Sequence, residues 1–217
     1  MMVLGIGVAV VVTLRLAKGA GIPAESIYIS AFWIVLFGLI GAKLVHVLDN
    51  LDWYGNHPGD ILAFWEGGLA WYGGVVGGFL GGAVYARVRR LSLARLADVV
   101  APGAILGLSI GRIGCTINGD AYGTETSLPW GLVYTHPNAE APWWIAGHPA
   151  PVYEIMWNLI VLGVLWGLRG RLKPEGALFL AMIAMYSFGR FFISWVREEP
   201  AVLGPLHQAH IISWFYL

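Results

Sequence analysis

Residues 28–48 read YISAFWIVLFGLIGAKLVHVL, and the only formal charge in this run, Lys43, stands near its end. A helix of about 20 mainly apolar residues covers the hydrocarbon of a bilayer, and lipid offers no partner to an unpaired peptide group. The stretch therefore predicts a membrane-spanning helix. Outward from it, apolar runs bounded by charges, Gly and Pro predict further spans near 1–16, 69–86, 99–117, 151–168 and 176–196. That makes six spans. A seventh is expected to begin at His210, where Ile211, Ile212, Trp214, Phe215 and Leu217 are apolar. The N-terminal run lacks a basic n-region and a small-residue cleavage site, so it reads as a span and not as a signal peptide.

The expected fold is all-α: a polytopic transmembrane helical bundle in which residues 1–217 form a single integral membrane domain. The polar, Pro- and Trp-rich segment over 118–150 is too long for a tight turn and is expected to form a small extracytoplasmic head. Composition agrees, with 58% apolar residues and only 12% charged ones, and a mean hydropathy of +0.68. A formal net charge of zero gives no ground for a nucleic-acid partner, and a single cysteine cannot form an internal disulfide. The pairs Gly73–Gly74, Gly77–Gly78 and Gly81–Gly82 recur at near-helical spacing and predict close helix packing.

The charges sort by loop. Arg15 and Lys18 follow the first span; Arg87, Arg89, Arg90 and Arg95 follow the third; Arg169, Arg171 and Lys173 follow the fifth. These are nine of the thirteen basic residues. By the positive-inside rule their side is cytoplasmic, which puts the N-terminus outside. The opposite loops carry Asp49, Asp52, Asp60, Glu66, Glu125, Glu140, Glu198 and Glu199, with Trp53, Trp65, Trp71, Trp130, Trp143 and Trp144 suited to an interfacial belt. Four cations are left unexplained by orientation: Lys43, Arg112, Arg190 and Arg197.

Lys43 and Arg197 lie near span ends, where long side chains snorkel to the interface. Arg112, in the run Gly111 to Gly123, and Arg190, after Tyr186-Ser187-Phe188-Gly189, lie within spans. A cation at such depth costs at least about 2.5 kcal/mol and faces a cavity or an anion. Two of them in one bundle suit a divalent phosphate. The bland alternative is a structural Arg112 paired with Asp120 or Glu154. Tyr72, entering the third span behind Glu66-Gly67-Gly68-Leu69-Ala70-Trp71, is either a site residue or a member of the aromatic belt. His148, at the entry to the fifth span, is either a capping residue or a titratable group beside the arginines.

Taken together, Gly67-Gly68-Leu69-Ala70-Trp71-Tyr72-Gly73-Gly74, the Gly111 to Gly123 run, His148-Pro149 through Tyr153-Glu154, and Tyr186 to Arg190 with Arg197-Glu198-Glu199-Pro200 resemble the bacterial prolipoprotein diacylglyceryl transferases. The resemblance implies seven spans with the N-terminus and active site toward the outside of the cytoplasmic (inner) membrane. It implies that Arg112 and Arg190 are the essential arginines; Tyr72, which orients head group or thiol, and His148, as a candidate aid to thiol deprotonation, complete the expected catalytic set. Gly68, Gly73, Asn118, Asp120, Gly123, Tyr153 and Tyr186 are then the expected substrate-binding residues. Tyr72 falls where some members carry His and others Tyr. Cys115 stands where many members have Asn, and Ser194 where Glu is frequent. The family's outer N-terminal segment, with its own tyrosine, has no counterpart in this sequence, and the last span is short.

The activity so implied is transfer of the diacylglyceryl group of phosphatidylglycerol to the lipobox cysteine of a preprolipoprotein, with a thioether formed and glycerol 1-phosphate released. The expected partners are phosphatidylglycerol, the signal peptide with its lipobox cysteine, and membrane lipid; no cofactor and no metal are expected. Guanidinium groups suit phosphate because they stay charged and bind it through a fork of donors. The acceptor brings its own thiol, so Cys115 is read as a small buried hydrophobe and not as a nucleophile. The alternatives are a degenerate homologue or a transporter-like protein that binds phospholipid or signal peptide without turnover.

Overall fold

A computed structural model describes residues 1–136, 139–198, 201–203 and 206–207. Its described residues form seven α-helices: α1 (Met2–Gly19), α2 (Ala24–Asp49), α3 (Leu51–Asn56), α4 (Trp71–Val88), α5 (Leu93–Asn118), α6 (Ala150–Leu168) and α7 (Ala177–Ile193). Two 3-10 turns, Pro58–Leu62 and Phe64–Glu66, connect α3 to α4. Four short strands complete the elements: β1 (Leu132–Val133) pairs antiparallel with β2 (Ala146–Gly147), and β3 (Ala201–Leu203) with β4 (Leu206–His207).

Each of the six apolar runs is helical, with ends displaced by a few residues. Four helices, α1, α2, α5 and α6, are long and apolar enough to cross a membrane. At 17 residues α7 is a shorter apolar helix, and α4, 18 residues long, carries six glycines that dilute its hydropathy. The molecule is thus a mostly helical, multi-pass membrane protein. Large apolar side chains such as Phe32, Leu80, Ile160 and Leu180 are exposed on its helices, as helices surrounded by lipid require. The seventh span expected from His210 lies outside the described residues.

Contacts divide the chain into two compact units, Met1–Thr13 with Ala97–Leu217, and Leu14–Leu96. In the second, α2 and α4 meet backbone to backbone. A methyl group on Gly77 would meet the Phe37 carbonyl, and one on Gly81 would come within 2.5 Å of the Trp33 carbonyl. Lipid tails are as apolar as leucine, so this contact rests on van der Waals approach that only small residues permit. The same unit buries Lys43, which donates to the Tyr54 hydroxyl at 3.3 Å and to the carbonyls of Ala63 and Gly67 at 3.4 Å each. Lys43 therefore does not snorkel: the turns between α3 and α4 fold over it, because their carbonyls supply the acceptors that the bilayer lacks.

In the first unit the start of α1 packs on α5 through Gly5 and Gly107, each facing the other's carbonyl. Ile105, Val161, Leu165 and Leu178 form the core shared by α5, α6 and α7. Asp98 of α5 accepts the amide hydrogens of Gly176 at 2.7 Å and Phe179 at 2.9 Å. It thereby caps the start of α7, whose first amides have no partner within the helix. Trp157 of α6 donates from Nε1 to the Met185 carbonyl at 2.8 Å and covers Gly189.

Candidate active site

The end of α5, the start of α6 and the end of α7 are tied together by main chain. Gly123 donates to the His148 carbonyl at 3.0 Å, Thr124 to that of Val196 at 2.9 Å, His148 to that of Thr124 at 2.9 Å, and Glu198 to that of Tyr122 at 3.1 Å. A Cβ on Gly123 would lie 2.5 Å from two of these carbonyls, on His148 and Val196. Only glycine fits where three segments cross. The knot fixes the depth of the polar side chains beneath it. At 1.5 Å rise per residue, Arg112, Glu154 and Arg190 sit roughly 5–9 Å inside the ends of their helices.

At that level three arginines converge on one carboxylate. Arg112 Nε lies 2.5 Å from Glu154 Oε2, Arg190 Nη1 2.7 Å from Oε1, and Arg197 Nη1 3.5 Å from Oε1. Arg190 makes an aligned hydrogen bond. The Arg112 contact is an ion pair whose N–H points off the line to the oxygen. Glu154 is 2% exposed and the arginines 13–15%, so water screens them little. Arg112 Nη1 also reaches Cys115 Sγ at 3.9 Å. The Tyr186 hydroxyl is buried beside Arg112, Arg190 and Glu154.

Arg197 corrects an expectation: it does not snorkel but turns inward to the carboxylate. The reason is the backbone ladder, which holds Val196–Glu198 against Tyr122–Thr124 and sends successive side chains to opposite faces. Glu198 accordingly lines a cavity of about 220 Å3 on the other face, together with Glu125, Tyr134 and His148. From the sequence, Glu154 reads only as a structural partner of Arg112. A carboxylate four residues into an apolar helix was the signal that it would matter, since such a group persists only when paired.

Around the cavity, Trp130 donates from Nε1 to the Tyr153 hydroxyl at 2.9 Å, and that hydroxyl lies 3.3 Å from His148 Nδ1. Tryptophan can only donate, so the hydroxyl accepts there and its own hydrogen is available to His148 Nδ1. In that arrangement His148 carries its proton on Nε2. Asn118 ends α5 and donates to Asp120 Oδ2 at 3.4 Å across a turn in which Gly119 and Ala121 have positive φ. Tyr134 donates to the Thr116 carbonyl at 3.0 Å, and burial, with Asp120 and Cys115 nearby, pushes its hydroxyl above the usual tyrosine range.

The structure thus brings together Arg112, Arg190 and Tyr186, and places His148, Tyr153, Gly123, Asn118 and Asp120 at the same end of the same unit. Tyr72, Gly68 and Gly73 belong to the other unit. There Tyr72 is half-buried in the first turn of α4. Gly68, at φ +65, sits where a Cβ would be 2.8 Å from the His46 ring, and Gly73 packs on the backbone of Gly41.

The fold and these buried charges define, as a class, a multi-pass helical membrane protein with a cluster of paired arginines near the end of a helix bundle. Residues 1–217 match the model of the prolipoprotein diacylglyceryl transferase family. The phosphatidylglycerol–prolipoprotein diacylglyceryl transferase of Clostridioides difficile (strain 630) is 34% identical over 213 residues, which are 98% of this chain and 83% of the relative. The protein of that name from Acaryochloris marina (strain MBIC 11017) is 35% identical over 218 residues, 96% of this chain and 79% of its own. That from Thermosynechococcus vestitus is 36% identical over 203 residues, covering 92% and 76%. The chain belongs to the prolipoprotein diacylglyceryl transferase family.

Proposed function

We propose that this protein transfers the diacylglyceryl group of phosphatidylglycerol to the lipobox cysteine of a preprolipoprotein, with Arg112 and Arg190 as the phosphate clamp. The observation that carries the clamp is their convergence on the two oxygens of Glu154, which aims two guanidinium groups at one small volume. The cysteine sulfur forms a bond to the glycerol carbon that bears the phosphate. The C–O bond breaks, its electron pair leaves with the phosphate as glycerol 1-phosphate, and the thiol proton goes to the surroundings. Charge on the phosphate rises as that bond breaks, so prearranged guanidinium donors favour the transition state over the bound diester.

A thiol of pKa about 8.5 is partly ionised at neutral pH, and nearby cations raise that share. The arginine field and His148 are the two sources of help to ionisation. The Tyr153 contact to His148 Nδ1 favours the arginine field. Tyr72, a poor base at a pKa near 10, orients head group or thiol, and Tyr186, Tyr153, Asn118, Asp120, Gly123, Gly68 and Gly73 frame the lipid and peptide. In the membrane the chain has six spans within a single domain. Residues 118–150 form the extracytoplasmic head that receives the signal peptide, and the active site faces outward from the bacterial inner membrane. The loop charges and the depth of the arginines beneath the main-chain knot support this orientation.

The test is incubation of the purified protein with phosphatidylglycerol and a lipobox peptide, followed by mass spectrometry. The diacylglyceryl adduct is expected, and its absence under conditions where the lipid binds would leave a binding protein instead. Retention of full activity and an unchanged pH profile in His148→Ala would remove His148 from the chemistry.

A further inference from the structure

Glu154 has no place in a simple phosphate clamp, because a carboxylate repels phosphate. It is nonetheless in ion-pair contact with all three arginines, using Oε2 for Arg112 and Oε1 for both Arg190 and Arg197. Three guanidinium nitrogens within 3.5 Å of one carboxylate put like charges within about 7 Å of each other, where water screens weakly and repulsion is correspondingly strong. Glu154 itself stands on a buried stretch of helix: Ala150, Pro151, Asn158 and Val161 are each less than 2% exposed.

We propose that Glu154 is a positioning residue, an internal counter-ion that holds Arg112, Arg190 and Arg197 convergent until the phosphate of a lipid or of a glycerol phosphate takes over part of that role. This rests on the reading of the arginines as a phosphate clamp. Phosphate then completes an arrangement that already exists, and the ordering of three long side chains falls to folding instead of to binding. Glu154 and the phosphate are interchangeable in one respect: either relieves the repulsion among the arginines. Deleting the carboxylate therefore leaves a protein that depends on the anion for stability.

The experiment is thermal unfolding of the purified full chain in maltoside micelles free of phosphate. The unsubstituted protein is compared with Glu154→Gln, Arg197→Gln and the double variant, each alone, with glycerol 1-phosphate, and with phosphatidylglycerol in the micelle. Glu154→Gln keeps the shape and removes the charge, and its melting temperature is expected to fall by roughly 10 °C. Glycerol 1-phosphate and phosphatidylglycerol should each raise the melting temperature of Glu154→Gln more than that of the unsubstituted protein. The double variant should regain part of the loss, since one repelling cation goes as well. A response to the lipid alone would support the proposal with the phosphodiester as occupant.

Equal anion shifts in the unsubstituted protein and Glu154→Gln, or strictly additive losses in the double variant, would overturn it and leave Glu154 a packing residue. If Glu154→Gln cannot be recovered from membranes, the double variant should be; loss of both overturns the proposal too. Failure of the lipobox peptide to become lipidated would sink the functional reading while leaving these shifts untouched.

Discussion

Arg190 Nη1 donates to Glu154 Oε1 at 2.7 Å, joining the last turn of α7 to the second turn of α6. The bond is charged on both sides and nearly dry, with side-chain exposures of 13% and 2%. Breaking such a pair by removing one partner costs about 3–5 kcal/mol, because the other charge stays buried. Arg190→Ala is therefore expected to lose both stability and transfer activity. Arg190→Lys keeps the charge without the fork and separates the two effects. In the peptide-lipidation assay it should turn over about 10²–10³-fold more slowly while melting closer to the unsubstituted protein.

Gly189 lies beneath the indole of Trp157, and a methyl group there would run into the ring. Gly189→Ala is expected to push α6 and α7 apart beside Arg190 and to cost about 1–3 kcal/mol. Thermal melts should show the loss, and the second substitution Trp157→Leu, which removes the ring, should restore part of it.

At Gly123 the obstacle is backbone: a Cβ would press on the carbonyls of His148 and Val196 at 2.5 Å each. Neither can give way without breaking the knot that joins the ends of three helices. Gly123→Ala should accordingly speed hydrogen exchange at the amides of Thr124, His148 and Glu198, and should lower transfer even where the protein is recovered in full amount.

Asp98 caps α7 from a residue 78 positions away in sequence. Asp98→Ala leaves the amides of Gly176 and Phe179 without this acceptor and should cost about 1 kcal/mol, within the usual range for a lost helix cap. Exchange in the first turn of α7 should quicken selectively, while the arginine end of the helix stays protected.

Tyr134 holds its proton more tightly than a free tyrosine because burial and the negative charge of Asp120 disfavour the phenolate. In the unfolded chain the same hydroxyl ionises near pH 10. Above that pH the unfolded state loses a proton that the folded state keeps, so stability falls as pH rises through 10. Tyr134→Phe should flatten that alkaline decline in a melting-temperature profile, and it should remove one late component from the ultraviolet phenolate titration.

Much of this architecture was legible in residue order alone. Apolar length betrays a helix meant for lipid whatever it packs against, since the demand that peptide groups be satisfied acts within each segment. The runs at 28–48 and 99–117 accordingly read as helices and are helices. Arg112 and Arg190 stood out for the same reason: a charge among apolar neighbours has a cost that can be judged without knowing its partner. The Gly73 to Gly82 pairs announced a close helix contact, and α2 supplies it.

Partners were another matter. Arg197 and Lys43 both sit near the ends of apolar runs, and sequence treats such residues alike; only the folded chain shows one turned to Glu154 and the other buried under the turns between α3 and α4. Glu154 itself reads as one acid in one helix until α5 and α7 bring Arg112 and Arg190 to its two oxygens from 42 and 36 positions away. The sequence by itself determined which segments become helices in lipid and which charges would have to be accounted for, because solvation acts locally. Tertiary structure decided which charges meet, because Coulomb attraction depends on distance in space and is indifferent to separation along the chain.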